Sequence, residues 1–388
     1  MKASFFCAAV VVLVAPALAR AEDVLEKAAA FDPTLRFGDV GALTIEPLLQ
    51  TRWTVVEAGA PEPQSATGFS VPRARLTLTT SLFDAVSFRL RVGAKSDGSA
   101  RFEQAYVEGR WRRLRARAGQ FSLHLNAGEE PLPQELSSTE YSTYANTFAG
   151  GQTQGLELVY IGPVRVKGVV GNGARTGFSE LLSPIVADVA LTGRVEVPIT
   201  ARERAFAPLV EPSFRRGQRV TARIGATAHF QTKGATGSNP ANEVELASAD
   251  VDVRGSGFSI VASASYLRLA PVGTTPNEQV GFMAFASFFV ARRVELWGQF
   301  DVVWPIGTVT PMPASFASGQ PGTTPLRTLT TGANFFVVPN TNRLKVQIDL
   351  QTIFDPQSTS ILPSDVSRGV LATSGPQVAS RLQIVVAL

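Results

Sequence analysis

The feature that most constrains this chain is a strict alternation of apolar and polar residues, repeated in short segments almost end to end. Leu43, Ile45, Pro47, Leu49, Thr51, Trp53 and Val55 share one face, while Thr44, Glu46, Leu48, Gln50, Arg52 and Thr54 share the other. Val86, Phe88, Leu90 and Val92 oppose Ser87, Arg89, Arg91 and Gly93, and Leu344, Val346, Ile348 and Leu350 oppose Lys345, Gln347, Asp349 and Gln351. The same holds for Val294, Leu296, Gly298, Phe300 and Val302 against Glu295, Trp297, Gln299 and Asp301. Successive strand side chains point to opposite faces, so each segment predicts a strand with one apolar and one polar side. Each runs about ten residues, the length that crosses a bilayer as a tilted strand.

A soluble β-sandwich also alternates, and two further features separate the cases. Connections are short and long in turn. Tight turns are predicted near Phe83-Asp84, Trp111-Arg112, Ile161 to Pro163, Arg254 to Gly257, Ala291-Arg292 and Pro339 to Asn342. Longer segments run from Glu57 to Gly68, Ser122 to Thr153, Asn172 to Val186, Pro305 to Leu326 and Asp355 to Pro376. Short periplasmic turns and long outer loops give this rhythm; only Pro198 to Gln218 is long where a short turn is due. The last residues, Leu382, Ile384, Val386 and Leu388, form an apolar row suited to closing a barrel against its first strand. The predicted fold is all-β: a transmembrane antiparallel β-barrel of about 16 strands, an even number that returns both ends to one side.

The N-terminus reads as a secretory signal over residues 1–21, with Lys2, an apolar run from Phe5 to Leu18, and Ala19-Arg20-Ala21. Residues 22–41 fit no strand and are expected to be a periplasmic lead-in, leaving 42–388 as the barrel. Beyond the signal no apolar run of the length needed for a membrane helix appears. The one cysteine, Cys7, lies within the signal, so no disulfide is expected in the processed chain. Removing Lys2 and Arg20 lowers the net charge of +4 to +2, too balanced for a nucleic-acid partner. No metal-ligand spacing, phosphate loop or nucleotide motif is present, and no cofactor is expected.

Of 36 basic residues only six are lysine. Burying an arginine on the lipid face costs about 2–4 kcal/mol at the midplane, so the alternation predicts that these side chains point into a wet lumen. The expected pore-lining basic residues are Arg73, Arg75, Arg89, Arg91, Arg113, Arg115, Arg117, Arg165, Lys167, Arg194, Arg219, Arg223, Arg343 and Lys345. Such a ladder draws anions, but Glu46, Glu103, Glu108, Glu157, Glu196, Glu295 and Asp301 lie in the same strands, and structural ion pairs are the alternative for any single arginine. The segment from Ser122 to Thr153 is long enough to fold inward as a constriction. It carries Glu129, Glu130, Glu135, Glu140, Tyr141 and Tyr144, whose carboxylates are expected to face the wall arginines.

Several short motifs resemble the phosphate-selective porin O and P family. They are Pro72-Arg73-Ala74-Arg75-Leu76, Gln104-Ala105-Tyr106-Val107-Glu108 and Arg117-Ala118-Gly119-Gln120-Phe121. Further along come Phe148 to Gly155, Val170-Gly171-Asn172-Gly173, Arg194 to Pro198 and Ile224-Gly225-Ala226. The resemblance implies a trimeric, anion-preferring channel narrowed by its third outer loop. Gln152 stands where that family has arginine, Leu388 where it has a terminal aromatic, and lysines are few. What carries over is therefore the fold and an anion preference, rather than phosphate itself.

The expected function is a water-filled outer-membrane channel for passive diffusion of small hydrophilic solutes, without chemical turnover. Expected partners are outer-membrane lipid, small anionic solutes, the outer-membrane insertion machinery and two further copies of the chain. A structural or adhesive barrel with partner-binding loops is the alternative. A barrel hydrolase using His124 or His229 is a weaker one, since neither histidine has a telling spacing to a serine.

Overall fold

The computed structural model describes residues 33–59, 64–83, 85–94, 99–177, 186–200, 206, 212–214, 220–232, 234, 243–270, 276–306, 325–355, 370–371 and 375–387. The expected signal, Arg219 and Leu388 lie outside them. A short strand β1 (Thr34–Phe37) precedes two long ones, β2 (Gly41–Ala58) and β3 (Gln64–Leu82). Then come β4 (Val86–Ala94), β5 (Ala100–Trp111) and β6 (Leu114–Ser122). After the third outer loop follow β7 (Gln152–Ile161), β8 (Arg165–Gly171), β9 (Ala190–Pro198) and β10 (Thr221–Gln231). The series continues with β11 (Glu243–Gly255), β12 (Phe258–Ala270), β13 (Asn277–Ala291) and β14 (Val294–Ile306). It ends with β15 (Leu326–Phe336), β16 (Leu344–Ile353) and β17 (Gln377–Ala387).

Each strand from β2 onward pairs antiparallel with the next, and β17 closes the ring on β2, from Gln377 opposite Ala58 to Ala387 opposite Leu48. These strands make a closed 16-stranded barrel. Closure leaves no free sheet edge at membrane depth, which is the condition for a sheet to span lipid. The faces follow the alternation: in β9, Leu191, Val195 and Val197 are exposed outward, while Thr192, Arg194 and Glu196 are buried inward. The predicted tight turns are found among the described residues, Asp84 lying outside them. Phe83, Arg112, Ser256 and Asn340 adopt positive φ in them, at 51°, 53°, 50° and 62°.

Three expectations need correction. The lead-in contains a strand: β2 begins below the level where β17 ends, and β1 pairs with that free edge, Thr34 to Thr44 through Phe37 to Gly41. The predicted loop from Glu57 to Gly68 is mostly strand, because β2 runs to Ala58 and β3 starts at Gln64. Nor is the lumen wholly polar. Val244, Leu246, Val261, Leu267, Leu269, Met283 and Phe285 point inward and are buried under the third outer loop. The long connection between β9 and β10 is present, and Phe214 within it packs on Phe289 and Phe336 with ring centroids 5.4 and 4.9 Å away.

Candidate functional site

The third outer loop leaves β6 at Ser122 and turns into the barrel. Two single turns of 3₁₀-helix, Ala127–Glu129 and Pro133–Glu135, and a short helix α1 (Thr143–Thr147) shape it. Ser142 caps α1 by accepting from the Ala145 amide at 2.8 Å. An apolar face made by Phe121, Leu123, Leu125, Tyr144 and Phe148 packs on the inward residues of β11 to β14. The fit is close: a Cβ on Gly281 of β13 would meet Phe148 at 2.1 Å, so only glycine admits the ring there. Burying each such aromatic contributes roughly 1.5–3 kcal/mol, which offsets the cost of ordering a loop of this length.

Polar contacts then fasten the loop around most of the ring. Lys167 of β8 donates to the His124 carbonyl at 3.0 Å, and Gln50 of β2 to the Pro133 carbonyl at 3.3 Å. Gln347 of β16 donates to the Ser137 carbonyl at 2.9 Å, and Ser137 donates to Glu295 of β14 at 3.0 Å. The Tyr144 hydroxyl lies 2.9 Å from the Ser263 hydroxyl on β12.

Two carboxylates act as clamps. Glu130 takes Arg223 at 2.6 Å and Arg165 at 3.4 Å, with Arg194 3.7 Å away. Burial pushes its pKa up, but Arg223, Arg165 and Arg194 outweigh this and hold it well below the usual carboxylate range. Glu140 takes Arg52 at 2.9 Å and Arg73 at 2.7 Å. Tyr141 lies beneath Arg73, whose guanidinium carbon is 5.7 Å from the ring centre. Glu129 does a third job. It accepts from the amides of Leu125 at 2.8 Å and Gly151 at 3.4 Å, tying the two stems of the loop together. Burial pushes Glu129 up to about 7.

The expected set of wall arginines therefore divides. On β2, β9, β10, β16 and β17, basic side chains are sealed between loop and wall. Arg194 pairs with Asp250 at 2.7 Å, Arg223 with Glu130, and Lys345 bonds the Leu136 carbonyl. Two members of this group escaped the sequence reading: Arg52, and Arg381, which pairs with Asp349 at 2.6 Å. Both stand in the polar register of their strands, so the alternation could have found them.

The wall from β3 to β8 is only partly covered: Arg73, Arg165 and Lys167 reach the loop and Arg91 is buried, while Arg75, Arg89, Arg115 and Arg117 stay half-buried toward the lumen. That wall sets these eight side chains against Glu103, Glu108 and Glu157. A β-bulge where Arg91 and Val92 face Gln104 and Phe102 turns Glu103 inward, 2.7 Å from Arg75. Arg117 meets Glu108 at 2.9 Å, and its guanidinium carbon is 4.3 Å from the Tyr106 ring centre. Arg115 is looser, 3.6 Å from Glu157 with 30% of its side chain exposed, and Arg89 is 3.6 Å from Glu46. Arg91 donates to Thr77 at 3.1 Å and has no carboxylate within 4.0 Å among the described residues. Arg113 sits in the β5–β6 turn and Arg343 just ahead of β16, so neither projects from a strand. Glu135 folds back on its own turn, accepting from the Leu132 amide at 2.7 Å.

No protein-family model matches the chain, and no curated protein matches it. Solved structures do. The anion-selective porin from Comamonas acidovorans superposes with a TM-score of 0.59 at 13% identity, covering 90% of this chain and 100% of that one. The outer-membrane channel DcaP of Acinetobacter baumannii gives 0.56 at 12% identity, over 91% and 99% of the two chains. OprB of Pseudomonas putida gives 0.56 at 12%, over 90% and 94%. The fold of this chain is that of the outer-membrane porin barrels.

Proposed function

We propose that this chain is a bacterial outer-membrane porin that passes small hydrophilic solutes passively and prefers anions. A barrel that is apolar outside and charged inside belongs in a bilayer, and the structural neighbours are outer-membrane channels. Residues 1–21 then direct export, and the insertion machinery and membrane lipid receive the barrel. The observation that carries the anion preference is the surplus of cations on the water-lined wall from β3 to β8. Carboxylates on that wall neutralise part of the set, and the loosely held, partly exposed Arg89 and Arg115 leave a positive field along the path. An anion moving past exchanges hydration for guanidinium contacts that are individually weak enough to release it.

The resemblance noted above and the anion-selective neighbour point the same way. Phosphate is one candidate among small anions, and a trimer is the assembly this reading favours. No step of chemistry is assigned: His229 is held by Thr192, 2.8 Å from its Nδ1, and lines the sealed side. The test is the reversal potential of the purified chain in a planar bilayer under a potassium chloride gradient. A reversal close to the chloride potential is expected. A reversal close to the potassium potential would overturn the anion preference and leave the channel standing, whereas absence of conductance would favour the structural or adhesive barrel.

A further inference from the structure

The lipid-facing side of β5 to β9 holds an apolar cavity of about 760 Å³. Its floor is two pairs of small outward residues on neighbouring strands, divided by the exposed Leu158. Gly109 faces Ala116, and Gly168 faces Gly193. A Cβ added at Gly109, Gly168 or Gly193 would find nothing within 4 Å. The next row toward the outer side is bulky, with Leu156, Val170 and Leu191 exposed, so the floor is recessed. The size falls within the range of small-ligand sites, about 300–1,000 Å³. Lipid is the solvent on this face, and a recess there takes a hydrocarbon chain.

Charge at the foot of the recess says which lipid. Trp111 follows Gly109 by two residues on the same outward face, roughly 7 Å toward the periplasmic turn. Arg112 stacks on that ring, its guanidinium carbon 5.5 Å from the ring centre. Arg112 and its neighbour Arg113 are exposed, and neither makes an ion pair among the described residues. A guanidinium held against a lipid-facing tryptophan at the membrane edge fits a phosphate head group.

We propose that this recess binds one anionic phospholipid of the periplasmic leaflet, an acyl chain along Gly109, Ala116, Gly168 and Gly193 and its phosphate on Arg112. The inference rests on the membrane placement proposed above, which the conductance of the same variants tests separately.

The experiment titrates the full chain in detergent with phosphatidylglycerol or with zwitterionic phosphatidylcholine, counting bound lipid by native mass spectrometry. The wild type is expected to hold one phosphatidylglycerol about tenfold more tightly than phosphatidylcholine. Arg112→Gln should erase that preference. Gly168→Leu combined with Gly193→Leu should lose both lipids, while every variant conducts ions as the wild type does. Equal binding of the two lipids by the wild type, or retention of phosphatidylglycerol by the filled recess, overturns the proposal. Cross-linking between copies through Gly193→Cys, in a chain whose one native cysteine is Cys7, would overturn it in favour of a protein interface.

Discussion

The two sides of the lumen use the same residue type for different ends. On the sealed side, Arg52, Arg223 and Arg381 are almost wholly buried, with side-chain exposures of 0%, 1% and 2%. Each is held by at least one carboxylate at 3 Å or less. On the open side, Arg75, Arg89 and Arg115 keep 19%, 24% and 30%. A guanidinium removed from water needs a partner of opposite charge close by, or the structure pays its desolvation. One left in water needs none, and its charge remains available to a solute. The difference between the walls is therefore set by what covers them, and the cover is the third outer loop.

The comparison breaks most sharply at the loop's apolar seat. Gly281→Leu should drive Phe148 out and release the loop. We expect a large rise in single-channel conductance and a stability loss of about 3–5 kcal/mol in urea unfolding, the scale of deleting a core aromatic. Unchanged conductance would mean the loop is held elsewhere.

A smaller but decisive contrast is Arg381→Gln against Arg89→Gln. The first strands Asp349 in a sealed site and is expected to cost about 3–5 kcal/mol. The second should cost less than about 1 kcal/mol, since the Arg89–Glu46 pair is long and partly exposed, yet move the reversal potential toward potassium. Equal stability losses would erase the distinction between the walls.

Next comes pH. With its folded pKa raised to about 7, Glu129 is protonated more readily in the folded loop than in an unfolded chain. Its contribution is therefore fully present below the ordinary carboxylate range and lost as pH rises through about 7. Amide protection at Leu125 and Gly151 should be higher at pH 5 than at pH 8, by an amount on the order of 1–3 kcal/mol. Glu129→Gln should flatten that dependence.

The smallest effect is expected at the rim. The Arg327–Asp355 pair, 2.7 Å long with half of the arginine exposed, should contribute little to stability in urea unfolding and nothing to selectivity.

Much of this was legible before any coordinates. A period of two gave the faces, turn residues placed the short connections, and the cost of charge in lipid sent arginines inward. The third loop's infolding followed from its length. Harder to see was the loop's seat: strands such as β12 and β13 carry apolar residues on both faces, so alternation fades where the inner face meets a loop instead of water. The bulge that swings Glu103 to Arg75 was also hidden, since it shifts the parity of part of one strand. The loop carboxylates were expected to face the wall arginines across the path, but Glu130 and Glu140 touch them directly.

The sequence by itself determined the barrel and the inward placement of its charged side chains, because both depend on local parity and on the penalty for charge in lipid. Only the tertiary structure decided which arginines still act at a distance. Neutralisation needs a carboxylate within a few ångströms, and the partners lie far apart along the chain: Arg73 meets Glu140 from 67 residues away, and Arg223 meets Glu130 from 93. Parity says which way a side chain points. Closure of the ring and the path of one loop say what it finds there.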